Sequence, residues 1–187
     1  MTNPKPPSFF SCSSPFPWIT DARQTNFSNM TDARKRIELV ARNRDEVAAT
    51  IAAMDASVRA QMSKDWWDKF NASAFEDPWV HGFRVCLPGG VEVGMGSFKG
   101  PPVNGAVEIA YAIVPEHQGK GYATEAARAM TDYAFNSPGV TLVCAHTLPD
   151  GVASQRVLKK AGYAHVGEVV DPEDGLVWRF ERARPES

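Results

Sequence analysis

The stretch of this sequence best suited to chemistry is Gln118-Gly119-Lys120-Gly121-Tyr122-Ala123-Thr124, set between an apolar octet and an alanine-rich run. Glycines let the main chain approach an anion closely, and a helix that begins just after them presents unpaired N–H groups and a partial positive charge at its first turn. Such a turn captures a diphosphate mainly through amides, while Lys120 adds a flexible point charge of lower specificity. Two other phosphate motifs fail to match. A dinucleotide fingerprint wants a third glycine where Thr124 stands and an acidic residue at the end of the next strand, which instead ends in His146-Thr147. A P-loop wants Gly-Lys followed by Ser or Thr, and Gly121 follows Lys120 here. The plain alternative is a strand-to-helix turn with no ligand.

Around that turn, Glu108 is the single charged residue of Val107–Val114, and a carboxylate on an otherwise apolar strand is a candidate for a perturbed pKa. His146 is either a packed strand residue or a base. Cys144 alternates with Val140 and Leu142 and reads as core rather than nucleophile. His81, His117 and His165 carry less weight.

The elements that position these residues follow from periodicity. Residues 1–30 are rich in Pro and Ser and form an irregular arm, yet Phe9, Phe10, Phe16, Trp18 and Phe27 imply that it docks on its own domain or on a second subunit. The arm lacks the continuous apolar stretch of an export signal. The remaining 31–187 read as one domain. Ile37 to Val40 alternates as a strand; 45–54 and 57–70 carry helical spacing, and the second runs into an aromatic loop with Phe75 and Trp79. Gly82–Leu87 and Val91–Phe98 flank Pro88-Gly89-Gly90 as a hairpin. Val107–Val114 is a strand covered on both faces, Gly121–Phe135 an amphipathic helix with a small-residue face, and Val140–Thr147 the next strand. Strand, crossover helix and strand make a βαβ unit with a parallel pair. A helix over 152–161 ends at Gly162, and Tyr163–Val169 with Leu176–Arg182 close the chain as a hairpin.

Composition limits the partners. A formal net charge of −2 offers phosphate backbones no global attraction, so no nucleic-acid partner is expected, and no apolar run approaches the ~20 residues a bilayer requires. Three cysteines without C-x-x-C spacing point to reduced thiols in a cytoplasmic protein and to no metal site.

Gln118-x-x-Gly121-x-Ala123 matches the [RQ]-x-x-G-x-[GA] signature of the GNAT superfamily of N-acetyltransferases, and Ser154-x-x-Val157-Leu158-x-Lys160-x-Gly162-Tyr163 resembles that family's closing helix and strand. The likeness covers about 80–182. Tyr122-Ala123-Thr124-Glu125-Ala126 is most similar to the branch that includes ribosomal-protein N-terminal (alanine/serine) acetyltransferases, a branch that also holds enzymes acting on small amines. The resemblance implies an α/β GNAT (acyl-CoA N-acyltransferase) fold, with a central mixed and splayed β-sheet flanked by helices on both faces. It implies direct transfer of an acetyl group from acetyl-CoA to a primary amine, on a protein or peptide N-terminus or a small molecule, without an acyl-enzyme or a metal.

By the same resemblance, amides of Gln118, Gly119, Lys120, Gly121, Tyr122, Ala123 and Thr124 hold the diphosphate. Amides of Ile113 and Val114 pair with the pantetheine arm and polarise the thioester carbonyl. Glu108 stands where relatives carry the carboxylate that accepts the amine's proton; its other reading is a core-edge carboxylate held by a neighbouring cation. A glutamate of pKa about 4.3 facing an amine near ~10 is mismatched by ~6 units, so Glu108 needs a raised pKa, a water relay or an amine that arrives neutral. Gly151 replaces an Asn that helps hold the cofactor arm, and Leu158 replaces a Tyr that protonates the departing sulfur. Ser154 is left as a weak hydrogen-bond donor there or as a plain helix-face serine. Trp66, Trp67, Phe70, Phe75 and Trp79, with Asp171, Glu173 and Asp174 overhanging, read either as an acceptor pocket for a cationic amine or as core aromatics and an acidic turn. Two rival functions follow: a non-catalytic acetyl-CoA-binding or protein-interaction module, and a nucleotide-phosphate enzyme using the same turn.

Overall fold

The computed structural model describes residues 36–172 and 174–186; the 1–30 arm, Cys12 and Glu173 lie outside them. Strand β1 (Glu38–Ala41) leads into helix α1 (Arg44–Ala52), which starts at a reciprocal cap: the Asn43 side chain accepts from Glu46 N and the Glu46 side chain from Asn43 N, each at 2.9 Å. The single helix expected over 57–70 is two, α2 (Ala56–Arg59) and α3 (Lys64–Ala72), because Ser63 accepts from Trp66 N and opens a new helix. A short helix α4 (Pro78–His81) arises inside the aromatic loop, where Asp77 caps Trp79 N and Pro78 takes the first turn without wasting a donor. Strands β2 (Phe83–Cys86), β3 (Glu92–Phe98) and β4 (Ala106–Ile113) run antiparallel; a 3-10 turn over Pro115–His117 then leads to α5 (Tyr122–Phe135). β5 (Leu142–Thr147), α6 (Val152–Ala161), β6 (Ala164–Asp171) and β7 (Gly175–Ala183) complete the chain, the last two strands being longer than their sequence pattern.

The seven strands form one sheet in the order β1-β2-β3-β4-β5-β7-β6, antiparallel except between β4 and β5. That parallel contact holds for three register pairs, Ala106↔Leu142, Val107↔Val143 and Glu108↔Cys144. Beyond them β4 stays on β3 to Ile113↔Gly94, while β5 stays on β7 to Thr147↔Trp178. The sheet is mixed and forked, as the family likeness implied.

Helices α5 and α6 pack side by side on one face, where Val107, Ile109, Tyr111, Val143, Met130, Leu158 and Phe180 join the largest buried cluster. Ala126, Ala127 and Ala134 keep α5 close to the sheet, and Gly96 completes the fit: a Cβ there would lie 2.5 Å from Met130 Sδ. On the opposite face α1 reaches β2, with Glu46 Oε1 3.3 Å from Arg84 Nη1. Helices therefore flank both faces. Val47, Ile51 and Phe70 form a separate small core between α1 and α3.

Leu158 is fully buried between α6 and the sheet. Leu158→Ala should lower the unfolding free energy by about 2–5 kcal/mol, read as a reduced urea midpoint at unchanged m-value; a loss below about 1 kcal/mol would mean that this helix face is not core.

Candidate functional site

At the start of α5 the chain builds an anion cradle from main chain. Gly119 (φ 73°) and Gly121 (φ 89°) are left-handed, a conformation that side-chain-bearing residues rarely adopt. The result is a helix start with no side-chain cap at Gly121. Thr124 N and Glu125 N turn back to Gly121 O, and Gln118 N to Pro115 O. Among the described residues, no acceptor meets the N–H groups of Gly119, Lys120, Gly121, Tyr122 or Ala123. Gln118 fastens the turn to the strand end, its Nε2 donating to Ile113 O at 2.8 Å, and Lys120 Nζ donates to Glu116 O at 3.0 Å. Arg36 joins the cradle from just before β1. Its guanidinium donates to Lys120 O at 3.1 Å, pairs with Glu125 and lies 5.6 Å from the Tyr122 ring centroid.

The fork between β4 and β5 supplies the second half. Val114 N donates to Val93 O and Lys99 N to Glu108 O, both at 3.0 Å, so antiparallel alternation turns the main-chain groups of Tyr111 and Ile113 away from β3, toward the gap. The expectation that both Ile113 and Val114 amides address a bound arm is corrected accordingly: the Val114 N–H is spent within the sheet. On the α6 side, Thr147 Oγ1 and Ser154 Oγ are buried and, among the described residues, have no hydrogen-bond partner. Amides at the start of α5 and buried hydroxyls of β5 and α6 without partners among the described residues suit a ligand with an anionic diphosphate and a polar arm.

Glu108 sits at the last register pair of the fork. Its Oε1 lies 2.9 Å from His146 Nδ1 and 3.0 Å from Lys99 Nζ, and Lys99 reaches on to Asp171 at 3.4 Å. Burial pushes the Glu108 pKa up, but the His146 hydrogen bond and the Lys99 ammonium outweigh it and hold the carboxyl below its ordinary value. This is the reverse of the raised pKa that direct proton acceptance from an amine would require. Burial likewise lowers Lys99, and the two carboxylates more than restore it. Because Asp171 ends β6, four strands from β3 in the sheet order, its contact with Lys99 brings the β6–β7 hairpin tip over the face that carries Glu108.

Other candidates settle into packing. Burial drives the Cys144 thiol up to about 11, so it stays protonated at neutral pH. The aromatic set divides: Trp66 stacks on Phe70 at 5.1 Å in the small core, Trp79 packs 4.6 Å from Phe98 in the main one, and Phe75 is exposed. It is not one wall. His81 bridges Ser73 and Asp77, His117 approaches Tyr122, and His165 stacks on Trp178. Lys99 and Arg36 carried no signal in the sequence, since their partners lie across the fold; the Glu108–His146 contact becomes readable only once the β4–β5 register is known. Among the described residues, no group of three or more His, Cys, Asp and Glu side chains is placed to hold a metal ion, and no helix is long and apolar enough to cross a membrane.

A main-chain anion cradle beside a forked, mixed seven-stranded sheet defines the GNAT fold. The sequence profile of the Acetyltransferase (GNAT) domain matches residues 21–164, and the chain belongs to that family. It is 38% identical over 60 residues to the uncharacterized N-acetyltransferase YnaD of Bacillus subtilis, covering 32% of this chain and 35% of that protein. It is 37% identical over 59 residues to the FsC-acetyl coenzyme A-N(2)-transacetylase of Aspergillus fumigatus, covering 32% and 25%. The chain thus spans about a third of the length of the first of these curated relatives and a quarter of the other. Similar solved folds include aminoglycoside acetyltransferase AAC(6')-Ib with coenzyme A and kanamycin (TM-score 0.57, 21% identity, 79% of this chain and 95% of that one). Spermidine N-acetyltransferase from Vibrio cholerae with CoA and spermine is another (TM-score 0.59, 15% identity, 79% and 95%).

A carboxyl with a depressed folded-state pKa adds stability that is present above the unfolded value near ~4.3 and is lost as pH falls through the folded one. Glu108→Gln should therefore destabilise the domain at pH 7, and the gap to wild type in urea titrations should close below about pH 4. A gap that persists undiminished into acid would show that the ionised carboxylate contributes nothing.

Proposed function

We propose that this chain is an acetyl-CoA-dependent N-acetyltransferase that passes an acetyl group directly to a primary amine. The observation that carries the reading is the set of five amides over residues 119–123 that meet no acceptor among the described residues, opening onto a forked sheet. Amides of Gly119 to Ala123 hold the diphosphate, with the helix dipole favouring its charge; those of Gln118 and Thr124, expected to join them, are spent on Pro115 O and Gly121 O. The gap-facing Ile113 main chain and the unspent hydroxyls of Thr147 and Ser154 line the path of the arm. Acetyl-CoA brings an activated thioester; the chain orients it, and Glu108 supplies negative charge at the acceptor end and takes part in a proton relay. With Leu158 in the core, the sulfur leaves as thiolate, which a thiol of pKa about 8.5 tolerates at neutral pH.

The acceptor is a primary amine of one of two classes. The resemblance to the ribosomal-protein branch favours a peptide N-terminus; the aminoglycoside and spermidine acetyltransferases of similar fold favour a small polycation. Gly151 and Leu158 favour a second reading, a module that binds acetyl-CoA without turning it over.

Incubation with acetyl-CoA and a panel of peptides, polyamines and amino sugars, read by mass spectrometry, should show one added acetyl group on at least one amine. CoA binding without any product would favour the module. Gly121→Glu places bulk and negative charge among the amides and should raise the CoA Kd at least ~100-fold by calorimetry; unchanged affinity would show that the cradle is misassigned.

A further inference from the structure

We infer that His146 Nε2 is the atom that takes the proton from the acceptor amine, with Glu108 as the positioning residue that fixes the imidazole; this rests on the transferase reading above. Glu108 is poorly placed to do the work itself. Its Oε1 is engaged at once by Lys99 Nζ and His146 Nδ1. An ionised carboxylate only accepts hydrogen bonds, so Nδ1 carries a ring proton in this contact, and the neutral form of the ring then has its lone pair on Nε2. That Nε2 is buried and, among the described residues, has no partner. A buried acceptor left unspent has a cost that packing alone does not repay, and it needs a reason.

Its position supplies one. Glu108↔Cys144 is the last pair before the sheet forks, and His146 is the next residue along β5 on the same face. The imidazole therefore stands where the two strands part, beside the path of the arm.

The titratable and charged groups facing the ring come from every neighbouring strand: Glu108 of β4, Lys99 after β3, Cys144 of β5, Arg179 and Glu181 of β7, and Asp171 at the end of β6. Arg179 is neutralised by Glu181 at 2.7 Å, which leaves Glu108 as the charge that steadies an imidazolium. Nε2 meets the amine through one bridging water, or through a shift of the hairpin tip that the Lys99–Asp171 pair holds over this face. As the new C–N bond forms and the C–S bond breaks, the N–H proton passes to Nε2, giving an imidazolium held by Glu108. The ring then returns the proton to the departing thiolate or to solvent, and all charges balance.

The test uses the full chain and the best amine of the panel. H146Q should lower kcat/KM about 10²–10³-fold while the CoA Kd stays within threefold, and should abolish the acid limb of the wild-type pH profile. E108Q should keep that limb, displaced to lower pH because the stabilising charge is gone. In the 15N NMR spectrum of the wild type, His146 should bear its proton on Nδ1 with Nε2 bare, a readout independent of any variant's folding. Wild-type turnover with an unaffected H146Q, an unmoved pH profile, or a proton found on Nε2 would overturn the histidine's part alone. Absence of turnover by the wild type with every amine would overturn the transferase reading beneath it.

Discussion

The parting of β4 and β5 after three register pairs is the constraint on which the rest of the structure depends. Both strands are pinned where they enter: Thr141 N and Leu142 N donate to Gly105 O, and Arg184 N donates to Thr141 O. Each then follows its antiparallel partner outward, β4 along β3 and β5 along β7. A continuous ladder would have joined the two strands along their length and left no gap beyond Glu108. Antiparallel pairing on the outer sides keeps the fork open, because those ladders are longer than the parallel contact they compete with.

The proposed work at this site is divided between main chain and side chains. In the proposed function, diphosphate capture rests on amides whose direction is set by two left-handed glycines, so the chemistry of Lys120 or Tyr122 matters less than the backbone shape. Gly151 begins α6 without a side-chain cap, and a Cβ there would lie 3.0 Å from Leu148 O. The Thr147 and Ser154 hydroxyls close by are buried and, among the described residues, have no hydrogen-bond partner. Electrostatics around Glu108 depends instead on particular side chains. Lys99 links Glu108 to Asp171, so the charge on this face of the fork depends on three residues from three separate parts of the sequence.

Much of the fold was legible in one dimension. The apolar octet ending at Val114, the small-residue face of α5 and the Gly162 stop of α6 are local patterns, and the structure reproduces them nearly residue for residue. Failures came where a side chain outvoted periodicity. Ser63 divides an apparent helix by capping its second half, and Asp77 with Pro78 starts a helix inside an aromatic run that carries no helical period. The aromatic residues that read as one wall serve two different cores, since one helix face cannot reveal which neighbour will cover it.

By itself the sequence determined the cradle: glycines that accept positive φ, followed at once by a helix, fix the direction of the amides whatever surrounds them. It also marked Glu108 as anomalous, because a charge in an apolar strand is visible without a partner. Only the tertiary structure decided what that charge does. The register of two parallel strands, 38 residues apart at the Glu108–His146 contact, and a hairpin folded back to Lys99 set its hydrogen bonds and turned its pKa down rather than up. A titrating group answers to charges a few ångströms away, and such distances are set by packing, not by the order of residues in the chain.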